Sequence, residues 1–234
     1  NTADSNSAFG FQAGYSITSG TYNTAIGRNT FGSTTALSTG DYNVAVGEGG
    51  LYNNTSGSDN VGVGINALGS NTSGQANVAI GVEALNRSNS DYNTAVGQRA
   101  GYSITSGGYN VAIGRDTFGT TTANNTGSHN VAIGISALFD NTTGYYNVAV
   151  GSEVLQNNES GIGNTGVGTF ALSNNVDGSA NSAFGDSSLG NNVGGYSNSA
   201  FGSVSMENNT DGYQNSAFGT NALRSNTTGD GNIA

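Results

Sequence analysis

Hydrophobic and polar residues alternate in a five-residue motif that recurs along the whole chain. The motif is Asn, then Ser, Thr or Val, then Ala or Gly, then Ile, Val or Phe, and finally Gly. Most copies are 17 residues apart, while one step is 16 and two are 20. A fixed period of this kind is typical of a repeat architecture. The coils that it predicts start near Asn6, Asn23, Asn43, Asn60, Asn77, Asn93, Asn110, Asn130, Asn147, Asn164, Asn181, Asn198 and Asn215.

Each repeat carries further marks when its motif Asn is counted as position 1. Position 5 is Gly in all thirteen full copies, and position 9 is large and apolar in eleven of them. The two exceptions are Gly14 and Gly101. The string GYSITSG occurs at 14–20 and again at 101–107, so a block of five repeats has been duplicated. The extra residues of the two 20-residue steps are expected to form a loop on one side.

The alternation predicts a short strand in each repeat, because strand side chains point to opposite faces with a period of two. The Gly and Asn positions supply the backbone angles that corners need. Two turn signals per repeat predict two strands, at positions 1–4 and near positions 8–10. Stacked parallel coils explain why every repeat looks alike, since each residue then lies on its equivalent in the next coil. The predicted fold is an all-β parallel β-solenoid (β-roll) of about thirteen coils with a 17-residue repeat.

The residues singled out as the structural repeat share these motif positions. They are Asn23, Ala25, Ile26, Gly27, Asn77, Ile80, Gly81, Leu85, Gly114, Gly134, Leu138, Phe218 and Gly219. Each coil offers few large apolar side chains to offset the entropy of ordering its backbone. We therefore expect one face, either positions 2 and 4 or position 3 with position 9, to fill the coil. The other face is expected to pack around a threefold axis.

Composition limits the partners and the chemistry. The 234 residues have a formal charge of −10 and no Lys, which gives no basic surface for nucleic acid. No apolar run has the ~20 residues of a membrane-spanning helix, so no membrane insertion by this segment is expected. The chain contains no Cys, which excludes disulfides and thiolate metal sites. It begins at Asn1 and stops within a motif, so we expect one repetitive segment, 1–234, of a longer fibre protein.

Candidate catalytic residues are few, and we expect neither an enzyme nor a cofactor. His129 precedes a motif Asn, where other coils have Tyr22, Tyr42, Tyr92, Tyr109 and Tyr146. Those tyrosines are candidates for surface contact, because aromatic rings on a flank either stack on sugars or pair between coils. The acids are scattered through the turns, and the calcium-binding repeat Gly-Gly-x-Gly-x-Asp is absent. Asn-x-Ser/Thr strings at Asn71, Asn141 and Asn226 give a weak glycosylation signal.

The motifs NTAIG (23–27), NVAIG (77–81 and 110–114) and NSAFG (215–219) resemble the YadA-like head repeats of trimeric autotransporter adhesins. They are also similar to repeat arrays of phage and bacterial tail-fibre proteins. The resemblance covers nearly the whole chain, although these coils are longer than the usual head repeat. It implies a left-handed roll that assembles as a homotrimer. It also implies a head or shaft that binds a host surface or matrix.

These observations predict a structural or adhesive fibre segment with cell adhesion as its role. Its partners would be further copies of itself and a glycan or protein receptor on a host or cell surface. Its expected location is extracellular, on a bacterial cell surface or in the fibre of a virion or injection machine. One alternative is an ice-binding β-solenoid, which requires a regular Thr array. A less favoured alternative is a polysaccharide-cleaving tailspike, whose paired carboxylates would lie across coils or chains.

Overall fold

The structure is a computed structural model that describes residues 4–35 and 37–234. The chain divides into two compact units, Asn1–Arg115 and Asp116–Ala234. Each motif forms a three-residue strand at its positions 2–4. The first unit contains β1 (Ser7–Phe9), β2 (Thr24–Ile26), β3 (Val44–Val46), β4 (Val61–Val63), β5 (Val78–Ile80), β6 (Thr94–Val96) and β7 (Val111–Ile113). The second contains β8 (Val131–Ile133), β9 (Val148–Val150), β10 (Thr165–Val167), β11 (Ser182–Phe184), β12 (Ser199–Phe201) and β13 (Ser216–Phe218).

Within each unit, every strand pairs in parallel with the strand of the next coil. The register places like on like: Ala25 lies beside Ala45 in the first unit, and Ala183 beside Ala200 in the second. This arrangement is a parallel β-solenoid with a repeat of about 17 residues, so the predicted fold class is confirmed. It follows from stacking, because a parallel ladder repeats the same chemical environment at each level.

The second strand predicted near positions 8–10 is wrong. Across the described residues these positions form turns, and φ is +54° at Asn66 and +53° at Leu68. A strand needs negative φ at each residue, so positive values at alternate positions prevent an extended segment. Coil-to-coil hydrogen bonding nevertheless continues there, since the Leu51 N–H donates to the Ala67 carbonyl at 3.0 Å. The ladder therefore extends beyond the residues that form strands.

The interior of the coils is filled by position 9 together with position 3. Ten of the eleven large side chains at position 9 are fully buried, and Ala25 and its equivalents line the opposite wall. Gly101 leaves position 9 empty, and Ile104 fills the space: a Cβ built on Gly101 would lie 3.3 Å from the Ile104 Cδ1. The core is thin, because each coil contributes one large side chain and several small ones.

Two ladders of buried Asn side chains run beside this apolar core. At position 1, the backbone N–H of Asn164 donates to the Oδ1 of Asn147 at 2.9 Å, and the Asn164 Nδ2 donates to the Gly178 carbonyl at 2.8 Å. At position 12, the Asn175 Nδ2 donates to the same Gly178 carbonyl at 2.9 Å. The Gly at position 15 is thus held by two amides at once. These ladders satisfy the polar groups of the corner inside the coil.

The extra residues of the 20-residue steps lie between positions that bond to neighbouring coils. In the first unit, the Ser33 N–H donates to the Tyr52 carbonyl, and the Thr39 N–H donates to the Thr55 carbonyl. Ala36 lies outside the described residues. In the second unit, the inserted segment lies between Thr120 and Thr126. The insertions are accommodated between these positions while the ladder on both sides is kept.

Candidate interaction surfaces

The outer surface of the strands is apolar, and we call it the strand face. It consists of positions 2 and 4, whose side chains point away from the interior. The position-4 side chain is 41% exposed at Ile80 and 62% exposed at Phe218, while the intervening Ala at position 3 is buried. Position 2 is half-buried in every strand except β1. The structure therefore assigns position 3 with position 9 to the interior, and positions 2 and 4 to the surface.

The residues of the structural repeat divide between these environments. Asn23, Ala25, Asn77, Leu85 and Leu138 are buried inside the coils. Ile26, Ile80 and Phe218 lie on the strand face, and the glycines Gly27, Gly81, Gly114, Gly134 and Gly219 follow the strands with positive φ. The sequence pattern identified all of them as repeat residues, but it did not tell which of them face outward.

Side chains on the strand face stack from coil to coil. The Phe184 and Phe201 rings are parallel with centroids 4.9 Å apart, and the Phe201 and Phe218 rings are 5.3 Å apart. Position 6 borders this face and is mixed: Ile65 and Val82 are apolar, whereas other coils carry charges. A run of exposed Ile, Val and Phe along a sheet is the kind of apolar surface that marks a protein–protein interaction site.

Aromatic residues directly before the motif Asn form a second surface on one flank. The rings of Tyr22 and Tyr42 stack at 5.0 Å, and those of Tyr92 and Tyr109 stack at 4.8 Å. Each of these four side chains is more than half exposed. Because each ring covers a face of its neighbour, only ring edges and the outer faces of a pair remain open to a ligand. The pairing between coils thus occupies much of the area that a sugar would need for stacking.

The remaining aromatic contacts follow the same coil-to-coil pattern. His129 and Tyr146 are 5.1 Å apart with tilted rings, which places the histidine in the aromatic row. At position 16, Tyr196 stacks on Tyr213 at 4.8 Å. The nearby Asp230 carboxylate raises the pKa of Tyr213 above its usual value, because a negative neighbour disfavours the phenolate. This interaction lies at the exposed surface, where solvent screens it.

Several acids act as backbone acceptors between coils. Asp41 Oδ1 accepts the Thr21 N–H at 2.7 Å, and Asp91 Oδ1 accepts the Gln75 N–H at 2.8 Å. Among residues 4–35 and 37–234, no group of three or more His, Cys, Asp or Glu side chains is placed to hold a metal ion. In the same residues, no helix has the length and apolarity to cross a membrane. Asp41 and Asp91 therefore make structural contacts between coils.

The glycosylation signal has a structural origin at two of its three positions. Asn71 and Asn141 are fully buried members of the position-12 ladder, and their Nδ2 atoms donate to Gly74 and Gly144 carbonyls. A glycan on either amide has no space in the folded coil. Asn226 is only partly buried. The string recurs because position 12 is Asn in most coils and the turn that follows it often contains Thr or Ser.

Comparison with models of known protein families finds no match, and a search of curated protein sequences finds none either.

Proposed function

We propose that this chain is a segment of an extracellular, homotrimeric fibre that holds or forms an attachment surface. The observation that carries the proposal is the regular parallel solenoid with an apolar strand face along its coils. The repeat resemblance described above supports three copies and an adhesive role.

The strand face needs a partner surface whose side chains recur with the same spacing. Parallel coils stack at about 4.8 Å, so exposed position-4 side chains recur at that interval within each unit. A second copy of the chain presents the same side chains with the same spacing. Packing copies face to face removes apolar surface from water at every coil, with ~25 cal/mol gained per Å² buried. The copies thereby supply the apolar contacts that a thin core lacks.

Charges on the strand face should disrupt this assembly. In the variant Ile80→Glu/Ile113→Glu, both changed positions are exposed in one chain, so the isolated coil should still fold. In the assembly each carboxylate would be buried without a partner, at a cost of ~2–5 kcal/mol per site. We expect the variant to sediment at the mass of one 23.3 kDa chain, and the unmodified chain at three times that mass.

The matched control is Val193→Glu, which changes an aliphatic side chain of similar exposure outside the strand face. It should keep the trimer mass. Sedimentation of the unmodified protein as a single chain, at the concentration used for the variants, would contradict the trimer.

The adhesive role is tested separately, with the assembled protein passed over arrays of immobilised surface glycans and extracellular matrix proteins. We expect saturable retention on at least one surface, and loss of it when the soluble form of that ligand competes. Absence of retention throughout would contradict the adhesive role. It would leave the structural role in place, with this segment as a spacer.

A further inference from the structure

The sizes of the two side chains on the strand face are coupled within every coil. Where position 4 is Phe, position 2 is Ser, and where position 4 is Ile or Val, position 2 is Thr or Val. No coil combines Phe with Val or Thr, and none combines Ile or Val with Ser. The Ser–Phe coils are those of β1, β11, β12 and β13.

The interior of the coil does not account for this coupling. Both side chains point outward, and the buried Ala at position 3 is the same beside Ser182 and Phe184 as beside Val148 and Val150. The phenylalanines of β11, β12 and β13 stack on one another along the ladder. Solvent alone does not require the largest side chain at position 4 to be paired with the smallest at position 2. A close-packed cover does, because overpacking and cavities at an interface both cost free energy.

We propose that the strand face is a size-matched recognition surface between copies of this chain. We call the position-2 and position-4 side chains of one coil a rung. In each rung, position 2 of one copy packs against position 4 of the neighbouring copy. This inference rests on the proposed assembly of copies, and it adds the rule by which the copies align. Ser–Phe rungs match Ser–Phe rungs, and Val–Ile rungs match their own kind.

The rule determines the axial register of the copies. Aligned copies place Ser199 against Phe201 of the neighbour and Val148 against Val150. A shift by one coil leaves most rungs similar, but it places a Phe against Thr or Val where the two kinds of rung meet. There it creates an overpacked contact on one side and a gap on the other. The consecutive Ser–Phe coils of β11 to β13 thus mark one level of the fibre.

The first test is disulfide cross-linking, which the chain permits because it contains no native Cys. A tagged Thr165→Cys chain is refolded together with an untagged Val167→Cys chain, so that positions 2 and 4 of β10 each carry one thiol. We expect a covalent tagged–untagged pair after mild oxidation, because a disulfide requires Cβ atoms within ~4.5 Å. The matched control pairs Thr165→Cys with Val150→Cys, one coil away in β9.

The control should give little or no mixed disulfide. Equal cross-linking by both pairs, or cross-linking only by the shifted pair, would overturn the inference while leaving the proposed trimer intact. Sedimentation of the unmodified protein as single chains would overturn the trimer and the inference together.

The second test exchanges one kind of rung for the other. Ser199→Val overpacks the rung beside Phe201, and Phe201→Ile leaves a gap beside Ser199. Each single variant should raise the dissociation constant of the assembly by roughly tenfold or more. Ser199→Val/Phe201→Ile rebuilds a Val–Ile rung and should return the constant to within about threefold of the unmodified value. Additive losses in the double variant would overturn the inference.

The same variants are then compared by thermal unfolding at a concentration where the assembly is dissociated. There the two single changes should act independently, because one chain alone has no neighbour to match. Coupling that persists in the dissociated chain would place the size match within one coil, and would overturn recognition between copies.

Discussion

Gly151→Ala should destabilise its coil by ~3 kcal/mol or more, a large effect for a single added methyl group. Gly151 occupies position 5 with φ at +135°, a region that is open to Gly and closed to residues with a Cβ. A Cβ at this position would lie 2.6 Å from the carbonyl oxygen of Gly168 in the next coil. The obstacle is the backbone of a stacked coil, which has no free space into which to move.

Gly163→Ala is the matched control for this change. Gly163 also has positive φ, at +66°, but no heavy atom lies within 4 Å of a Cβ built there. It should lose only the ~1–2 kcal/mol of a left-handed residue. Unfolding of a stacked-repeat protein is not always two-state, so the readout combines urea denaturation with hydrogen exchange at the amides of neighbouring coils. Equal losses for the two variants would show that close approach between coils does not constrain position 5.

Asn164→Ala should remove ~1–3 kcal/mol, because it leaves the buried backbone N–H of Asn181 without its acceptor and removes one of the two amide donors to the Gly178 carbonyl. The Asn164 Oδ1 accepts the backbone N–H of Asn181 at 3.0 Å, and its Nδ2 donates to the Gly178 carbonyl. The Nδ2 of Asn181 also donates to this oxygen, at 3.2 Å. Alanine restores none of these contacts, and the site is fully closed to water. The loss of stability should extend to both neighbouring coils, because each Asn side chain of the ladder is hydrogen-bonded to the coils beside it.

Asn157→Ala provides the comparison, since Asn157 belongs to an exposed Asn row. Its Nδ2 donates to the Asn174 Oδ1 at 3.1 Å at the surface, where water replaces a lost partner. We expect a change of at most ~0.5 kcal/mol by urea denaturation. If both variants lost equally little, the buried ladder would not be a source of stability. If Asn157→Ala lost as much as Asn164→Ala, burial would not be the cause.

Part of the interaction surface was visible in the sequence, and part was not. The alternation of positions 2 to 4 identified two faces, but Ile80 and Leu85 are equally apolar and equally regular in sequence. Only closure of the coil separates them, leaving Ile80 on the strand face and Leu85 in the core. The tyrosines directly before the motif Asn were recognisable as a row, whereas their stacking depends on side-chain directions that follow from positive φ at those residues.

The sequence by itself determined the parallel ladder. The same residue types recur at the same positions about every 17 residues. This pattern predicts parallel coils stacked in register, because stacking places equivalent residues of successive coils next to each other. It did not determine the path between strands, where a second strand was predicted and Leu68 instead adopts positive φ. Nor did it show that Ile104 replaces the missing side chain at Gly101, or that Asn71 turns inward. These features depend on how one coil closes and on what the next coil presents to it, so only the tertiary structure decided them.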